Sequence, residues 1–276
     1  MTAFGAVPVR DALDSAVIAI TAAGSETPRL DAELLLADAL GVDRAALFLD
    51  PDRGVSGPAV RAFQDAVRRR SAGREPVAYI LGRRGFRHLE LEVDERVLVP
   101  RPETELLVEV GLLLPTGARV ADVGTGSGAI ALALKHERPD LDVVATDISS
   151  DALAVARANA QRLGLEVTFA RADLLDRVGD VDAVLSNPPY VAERARATLA
   201  PEITRHEPPG ALFAGEDGLD VIRRLVPAAA GARLLAVEVG RGQADAVAGL
   251  MGAEGFGATE VHRDLAGIER VVVATR

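Results

Sequence analysis

At roughly 100–200 residues per domain, a chain of 276 residues makes one large domain or two modest ones. Hydrophobic residues are 49% of it and aromatics only 3%, so Ala, Val and Leu carry the packing, while the absence of Cys excludes a disulfide scaffold, a thiolate metal site and a Cys nucleophile. The net charge of −10 argues against a broad nucleic-acid surface.

The acidity lies in the larger, C-terminal part, since residues 1–92 hold 12 Arg against 13 Asp and Glu. Lys135 is the lone lysine. A basic cluster runs from Arg68, Arg69 and Arg70 through Arg74 to Arg83, Arg84 and Arg87, and it reads as a solvated helix end. The first twenty residues carry Arg10, Asp11 and Asp14 and lack the order of a signal peptide. No apolar run approaches the ~20 residues that span a bilayer. A cytoplasmic protein is expected.

Residues 1–75 read as short helices from apolar spacing near the 3.6 period. Leu13, Val17 and Ile20 line the first, which stops near Gly24. Thr27-Pro28 opens a second, which Leu30, Leu34 and Ala37 continue to Gly41. Val60, Phe63 and Val67 mark a third. None of these carries a catalytic constellation, and docking or packing is the expected task. Residues 76–102 connect: Phe86–Val99 alternates like a hairpin, and Pro100-Arg101-Pro102 leads into a helix over Glu103–Leu114. Thr104, with Glu103 and Glu105, reads as the cap of that helix.

Within 103–276 strands and helices alternate. Strand-length runs fall at Arg119–Val123, Leu141–Ala145, Val167–Ala170, Asp182–Leu185, Leu234–Val239 and Val271–Ala274. Helical patterns at Ala129–Lys135, Asp151–Leu163, Leu219–Ala230 and Gln243–Glu254 separate them. Alternation of this kind predicts an α/β fold whose mostly parallel sheet is covered on both faces.

Four segments carry chemistry. In Asp122-Val-Gly-Thr-Gly-Ser-Gly-Ala129 a strand enters a turn through Gly124, Thr125, Gly126, Ser127 and Gly128, and a helix follows. Glycines admit positive φ and a ligand close to the backbone, and the helix N-terminus offers free N–H groups. The same residues satisfy the dinucleotide pattern, so an NAD enzyme stays open. Asp147 ends the next strand, where its two oxygens can take both hydroxyls of a ribose, or cap the helix near Ser150. Asp173-Leu174 follows the third strand; that Asp can reach an adenine amino group or cap its turn. Ser186-Asn187-Pro188-Pro189-Tyr190 ends the fourth strand. There the Asn187 side-chain oxygen and the Pro188 carbonyl can each accept an N–H of a planar NH₂ group, and Tyr190 can pack on its face. His88, His136, His206 and His262 fall in none of these segments, and no spacing suggests a metal site.

Asn187-Pro188-Pro189-Tyr190 resembles the motif of S-adenosylmethionine-dependent methyltransferases that act on planar nitrogens. Glu75–Gly82, Pro100–Glu105 and Glu207–Leu212 narrow the resemblance to the peptide chain release factor glutamine methyltransferase family of the PrmC, HemK type, over nearly the whole chain. The resemblance implies a class I methyltransferase sheet, Rossmann-like and seven-stranded, with a small N-terminal helical domain. It implies methyl transfer to the glutamine of the Gly-Gly-Gln motif of class I release factors, with S-adenosylhomocysteine as product. Carried onto this chain, Gly124, Thr125, Gly126, Ser127, Gly128, Asp147, Asp173, Leu174 and Asn187 hold the cofactor. Asn187, Pro188, Pro189 and Tyr190 hold the glutamine, with Asn187, Pro188 and Tyr190 catalytic. Where some relatives place an aromatic residue, Leu174 leaves the adenine to apolar packing. A monomer meeting release factors, without direct contacts to nucleic acid or membrane, is expected. The competing expectations are a ribosomal-protein glutamine methyltransferase, an adenine-N6 nucleic-acid methyltransferase, an NAD dehydrogenase and a non-catalytic binding module.

Overall fold

The computed structural model describes residues 6–276. Chain contacts divide it into two units, one reaching to Gly82 and including Ala200–His206, the other made of Arg83–Leu199 and Glu207–Arg276.

In the helical unit, β1 (Val7–Pro8) pairs with β2 (Gly54–Val55), and the helices are α1 (Val9–Ala22), α2 (Pro28–Leu40), α3 (Ala46–Leu49), α4 (Pro58–Ser71) and α5 (Val77–Leu81). Their core joins Leu13 and Ile20 of α1 to Leu35 and Leu36 of α2 and to Phe63 of α4, with Val77, Ile80 and Leu81 of α5 packed against it. The unit therefore runs past residue 75. Pro28 starts α2 and Gly41, at φ 61°, ends it. Its inward face follows the Leu30–Leu34–Ala37 stripe only in part: Ala37 is buried with Ala32, Leu35 and Leu36, whereas Leu30 is 39% exposed. Asp31 and Glu33 are buried with them, and these charges hide the periodicity. Arg70 Nε donates to Asp31 Oδ2 at 2.7 Å, and the Ser25 and Thr27 hydroxyls also donate to that carboxylate.

The basic cluster is likewise not simply a solvated helix end. Arg70 is 6% exposed, and Arg69 pairs with Glu75 at 2.7 Å. Arg70 and Arg74 both reach Glu202, on the short helix α9 (Pro201–His206) that belongs to this unit. Arg87, in the other unit, is bound by Glu137.

The sheet unit opens with a hairpin of β3 (Arg83–Phe86) and β4 (Leu89–Glu92), paired Phe86 to Leu89. The reversal thus falls at Arg87-His88, earlier than the alternation over Phe86–Val99 suggested, with Arg87 at φ 49°. A 3₁₀ turn at Pro102–Thr104 leads into α6 (Glu105–Leu112); no Thr104 side-chain cap forms there. Next come β5 (Arg119–Val123), α7 (Ala129–Glu137), β6 (Asp142–Asp147), α8 (Ser150–Leu163), β7 (Thr168–Arg171) and β8 (Ala183–Ser186). After α9 the chain returns through α10 (Asp220–Ala228), β9 (Leu234–Glu238), α11 (Ala244–Ala253), β10 (Ala258–Arg263) and β11 (Glu269–Thr275).

Seven of these strands form one sheet in the order β10-β11-β9-β8-β5-β6-β7. The five from β5 to β9 run parallel, and β11 lies antiparallel between β9 and β10. Alternate residues serve opposite faces. Val120, Ala145, Leu185 and Ala236 join the cluster under α6 and α7, while Ala121, Val144, Val184 and Val237 join the cluster under α10 and α11. Burial on both faces is why these strands read as unbroken apolar runs. The chain winds from β5 outward through β6 and β7, then crosses to β8 on the other side. Beyond the carboxyl ends of β5 and β8 lies the crevice where open sheets bind ligands.

Candidate active site

A cavity of about 450 Å³ occupies that crevice. Gly124, Gly126 and Gly128 have φ of 75°, 56° and 88°, a region L side chains avoid. Their surroundings differ. A Cβ on Gly124 or Gly126 would meet nothing within 4 Å, whereas one on Gly128 would strike Leu132 Cδ1 at 2.8 Å. Gly124 and Gly126 line the cavity with Thr125 and Ser127; Gly128 does not, and serves the packing of α7.

The loop is fastened from beneath. The Thr125 hydroxyl donates to Asp122 Oδ2 at 2.6 Å and the Ala131 N–H to the same oxygen at 3.1 Å. Asp122 is fully buried and its Oδ1 has no partner, so burial raises its pKa to about 7 against the pull of those two bonds. Asn159 of α8, also fully buried, donates to the Ser127 carbonyl and to the Glu92 carbonyl, tying the loop to the end of β4. Asp147 accepts from Gly126 N through Oδ2 at 3.0 Å and from Ser149 N through Oδ1 at 2.9 Å. The α8 cap is Ser149, whose side chain accepts from Ala152 N.

Asp173 and Leu174 also line the cavity. The Asp173 carboxylate is held by Arg224 Nη2 at 2.6 Å, a partner the sequence did not indicate. Its turn is closed by backbone, with Asp176 N donating to the Asp173 carbonyl. Leu174 stands at φ 55°, a strained value for a non-glycine residue, and Thr146 Oγ1 donates to its carbonyl.

Asn187, Pro188 and Pro189 reach the cavity from the end of β8. Asn187 Nδ2 donates to Thr104 Oγ1 at 2.9 Å, and neither Asn187 Oδ1 nor the Pro188 carbonyl accepts a bond from another described residue. Tyr190 does not line the cavity. Its hydroxyl donates to Glu238 Oε1 at 3.1 Å, and burial followed by the Glu238 charge pushes its pKa up. Glu207, which sequence reasoning left without a task, is 3% exposed and accepts from Arg101 Nη2 through both oxygens, at 2.6 and 2.7 Å. That bond anchors the turn whose Pro208, Gly210 and Ala211 close one side of the cavity. Among the described residues no group of three or more His, Cys, Asp and Glu is placed to hold a metal ion, and no helix is long and apolar enough to cross a membrane.

Two family models match the chain: PrmC N-terminal domain over residues 11–82 and methyltransferase small domain over residues 102–211. A release factor glutamine methyltransferase of Rhodospirillum rubrum is 44% identical, covering 96% of this chain and 84% of its own length. One of Deinococcus radiodurans is 42% identical, covering 97% and 98%. The chain belongs to the release factor glutamine methyltransferase family. The catalytic domain of hMettl16, solved with a hairpin of the MAT2A 3′UTR, covers 81% of this chain and 84% of its own with a TM-score of 0.57; at 16% identity it shares the fold alone.

Membership in the release factor glutamine methyltransferase family makes S-adenosylmethionine the methyl donor and fixes the class I methyltransferase fold. The residues present fit such a donor. The cavity falls within the ~300–1,000 Å³ of small-molecule sites. The open space above Gly124 and Gly126 leaves room for a nucleoside-sized group to approach the backbone, and an Asp122 oxygen without a partner among the described residues lies beneath that loop. Sequence reasoning missed Asn159, Thr104 as a site residue, and Glu238. A lone acid ending an apolar strand was the available signal for the last.

Proposed function

We infer that the chain transfers a methyl group from S-adenosylmethionine to the side-chain amide nitrogen of the glutamine in the Gly-Gly-Gln motif of class I release factors, with S-adenosylhomocysteine as product. Family membership supports the reaction, and one observation carries its placement. At the end of β8, Asn187 Oδ1 and the Pro188 carbonyl are two acceptors without partners among the described residues, at a cavity lined by the glycine loop. Gly124, Thr125, Gly126, Ser127 and Asp147 hold the cofactor, with Leu174 as an apolar wall. Asp173 serves through its pair with Arg224.

When bound, the cofactor supplies a methyl already activated on a sulfonium sulfur. The protein's task is orientation. An amide nitrogen has a delocalised lone pair and is a poor nucleophile, so holding it in line contributes most. Asn187 and Pro188 each take one amide N–H, and these bonds strengthen as positive charge develops on the nitrogen. Pro189 fixes the extended backbone of the motif, and Tyr190 frames the glutamine from behind it. The helical domain, which runs on from residue 75 to Gly82, docks the release factor, with residues 83–102 as connector. A single copy of the chain meets its substrate in the cytoplasm, without direct contact to nucleic acid or membrane. Incubation with a release factor and labelled cofactor tests the reading: one methyl on the Gly-Gly-Gln glutamine supports it, and label on a ribosomal protein alone contradicts it.

A further inference from the structure

Glu238 ends β9 at 1% exposure, and both of its oxygens are occupied: Thr104 Oγ1 lies 2.6 Å from Oε2 and the Tyr190 hydroxyl 3.1 Å from Oε1. A carboxylate only accepts, so both hydroxyls must donate to it. Thr104 has a single hydrogen. Once that is given to Glu238, its oxygen faces Asn187 as an acceptor, and Asn187 must turn its NH₂ toward Thr104 at 2.9 Å. The Asn187 carbonyl oxygen is thereby left for the substrate amide. Thr104, 4% exposed, has little other choice of partner.

A proton on Glu238 changes this order. The acid can donate to Thr104, which can then donate its own hydrogen to Asn187 Oδ1, and the Asn187 NH₂ would face the substrate instead. Two donors would then meet, and the amide would lose its acceptor. Resting on the functional reading above, we propose that Glu238 is a positioning residue: as a carboxylate it sets, through Thr104, which end of the Asn187 amide serves the glutamine, and so ties transfer to its own ionisation. Burial raises the Glu238 pKa to about 7, chiefly against the bonds from Thr104 and Tyr190. Of the charges facing this pair, Glu103 pushes Glu238 up and Arg270 pulls it down, while Arg101 and Arg270 act on Tyr190. The site is thus poised where a change of one pH unit matters.

The test is kcat on an intact release factor at saturating cofactor, from about pH 5.5 to about pH 8.5. Wild type should rise with pH and level off above about 7. Glu238→Gln is neutral at every pH, and its amide can turn either its oxygen or its N–H toward Thr104, so Asn187 is no longer held one way. It should be slower than the wild-type plateau, with that rise gone. Thr104→Val should run at least ~10-fold below the wild-type plateau and without the rise, as misorientation does, while calorimetry shows cofactor affinity within about twofold; Thr104→Ser should recover most of the loss. If Glu238→Gln does not fold, the Thr104 pair decides by itself. A wild-type inflection that survives in Glu238→Gln, or a fully active Thr104→Val, would overturn the positioning role alone. A wild-type protein that leaves the Gly-Gly-Gln glutamine unmethylated would overturn the functional reading and the proposal with it.

Discussion

Asp147 Oδ2 accepts the backbone N–H of Gly126 at 3.0 Å, so the acid that ends β6 is locked to the middle of the glycine loop. Its other oxygen is held by Ser149 N at 2.9 Å. Each carboxylate oxygen keeps a second lone pair, and with both oxygens already fixed, a further donor would meet them at little cost in side-chain freedom.

Asp147→Ala should therefore weaken S-adenosylmethionine binding twice over, by removing two charge-assisted bonds and by freeing Gly126. Such bonds contribute about 1.5–3 kcal/mol each, and a loss of tenfold or more in affinity is expected. Calorimetry measures it directly. An unchanged Kd would remove Asp147 from the cofactor site.

Stability should fall as pH rises through neutrality. Asp122 and Glu238 both have pKa values of about 7 because burial disfavours their charge. Between pH 6 and 8 the folded state binds more protons than the unfolded one, whose carboxyls ionise near about 4. The slope of stability with pH is then negative. Each group contributes a drop of about 1 kcal/mol over that interval. Urea titrations of wild type and Asp122→Asn at the two ends should show a smaller drop in the variant. Equal drops would mean that Asp122 does not titrate there.

The Arg70–Asp31 pair, 2.7 Å and 7% exposed on both side chains, should matter more than a surface ion pair. Asp31→Ala takes from Arg70 its nearest carboxylate, leaving it Glu202 at 3.3 Å, and leaves the Ser25 and Thr27 hydroxyls without that acceptor. Breaking a buried pair costs about 3–5 kcal/mol. Chemical denaturation should show a loss of that order in the helical unit. A change below about 1 kcal/mol would show that Glu202, also within reach of Arg70, compensates.

What could be read from the residues is what lies close together in the chain. The glycine loop, Asp147 and Asn187–Tyr190 sit at strand ends that apolar runs reveal, and their positions follow once the sheet is recognised. Thr104 and Glu238 are 134 residues apart, and Arg101 and Glu207 are 106 apart. No local spacing announces either contact. Thr104 even looked like a helix cap, because its sequence setting fits one. The edge strand β10 escaped notice because Ala258, Thr259 and Glu260 are all exposed and show no alternation. In α2 the buried Asp31 and Glu33 stand where a simple stripe demands apolar residues. For Tyr190, its place in the motif gives no sign that its hydroxyl is turned to Glu238.

The most direct measurement is mass spectrometry of the Gly-Gly-Gln peptide after reaction with Asn187→Ala. The substitution removes one amide acceptor and leaves the glycine loop and Asp147 in place. Transfer should fall by at least ~10²-fold, the scale of losing one preorganised polar contact in a catalytic site, with a much smaller change in cofactor affinity. Asn187→Asp, which keeps an acceptor oxygen, should be impaired but faster than Ala. A single added methyl on that glutamine at the wild-type rate in Asn187→Ala would contradict the account.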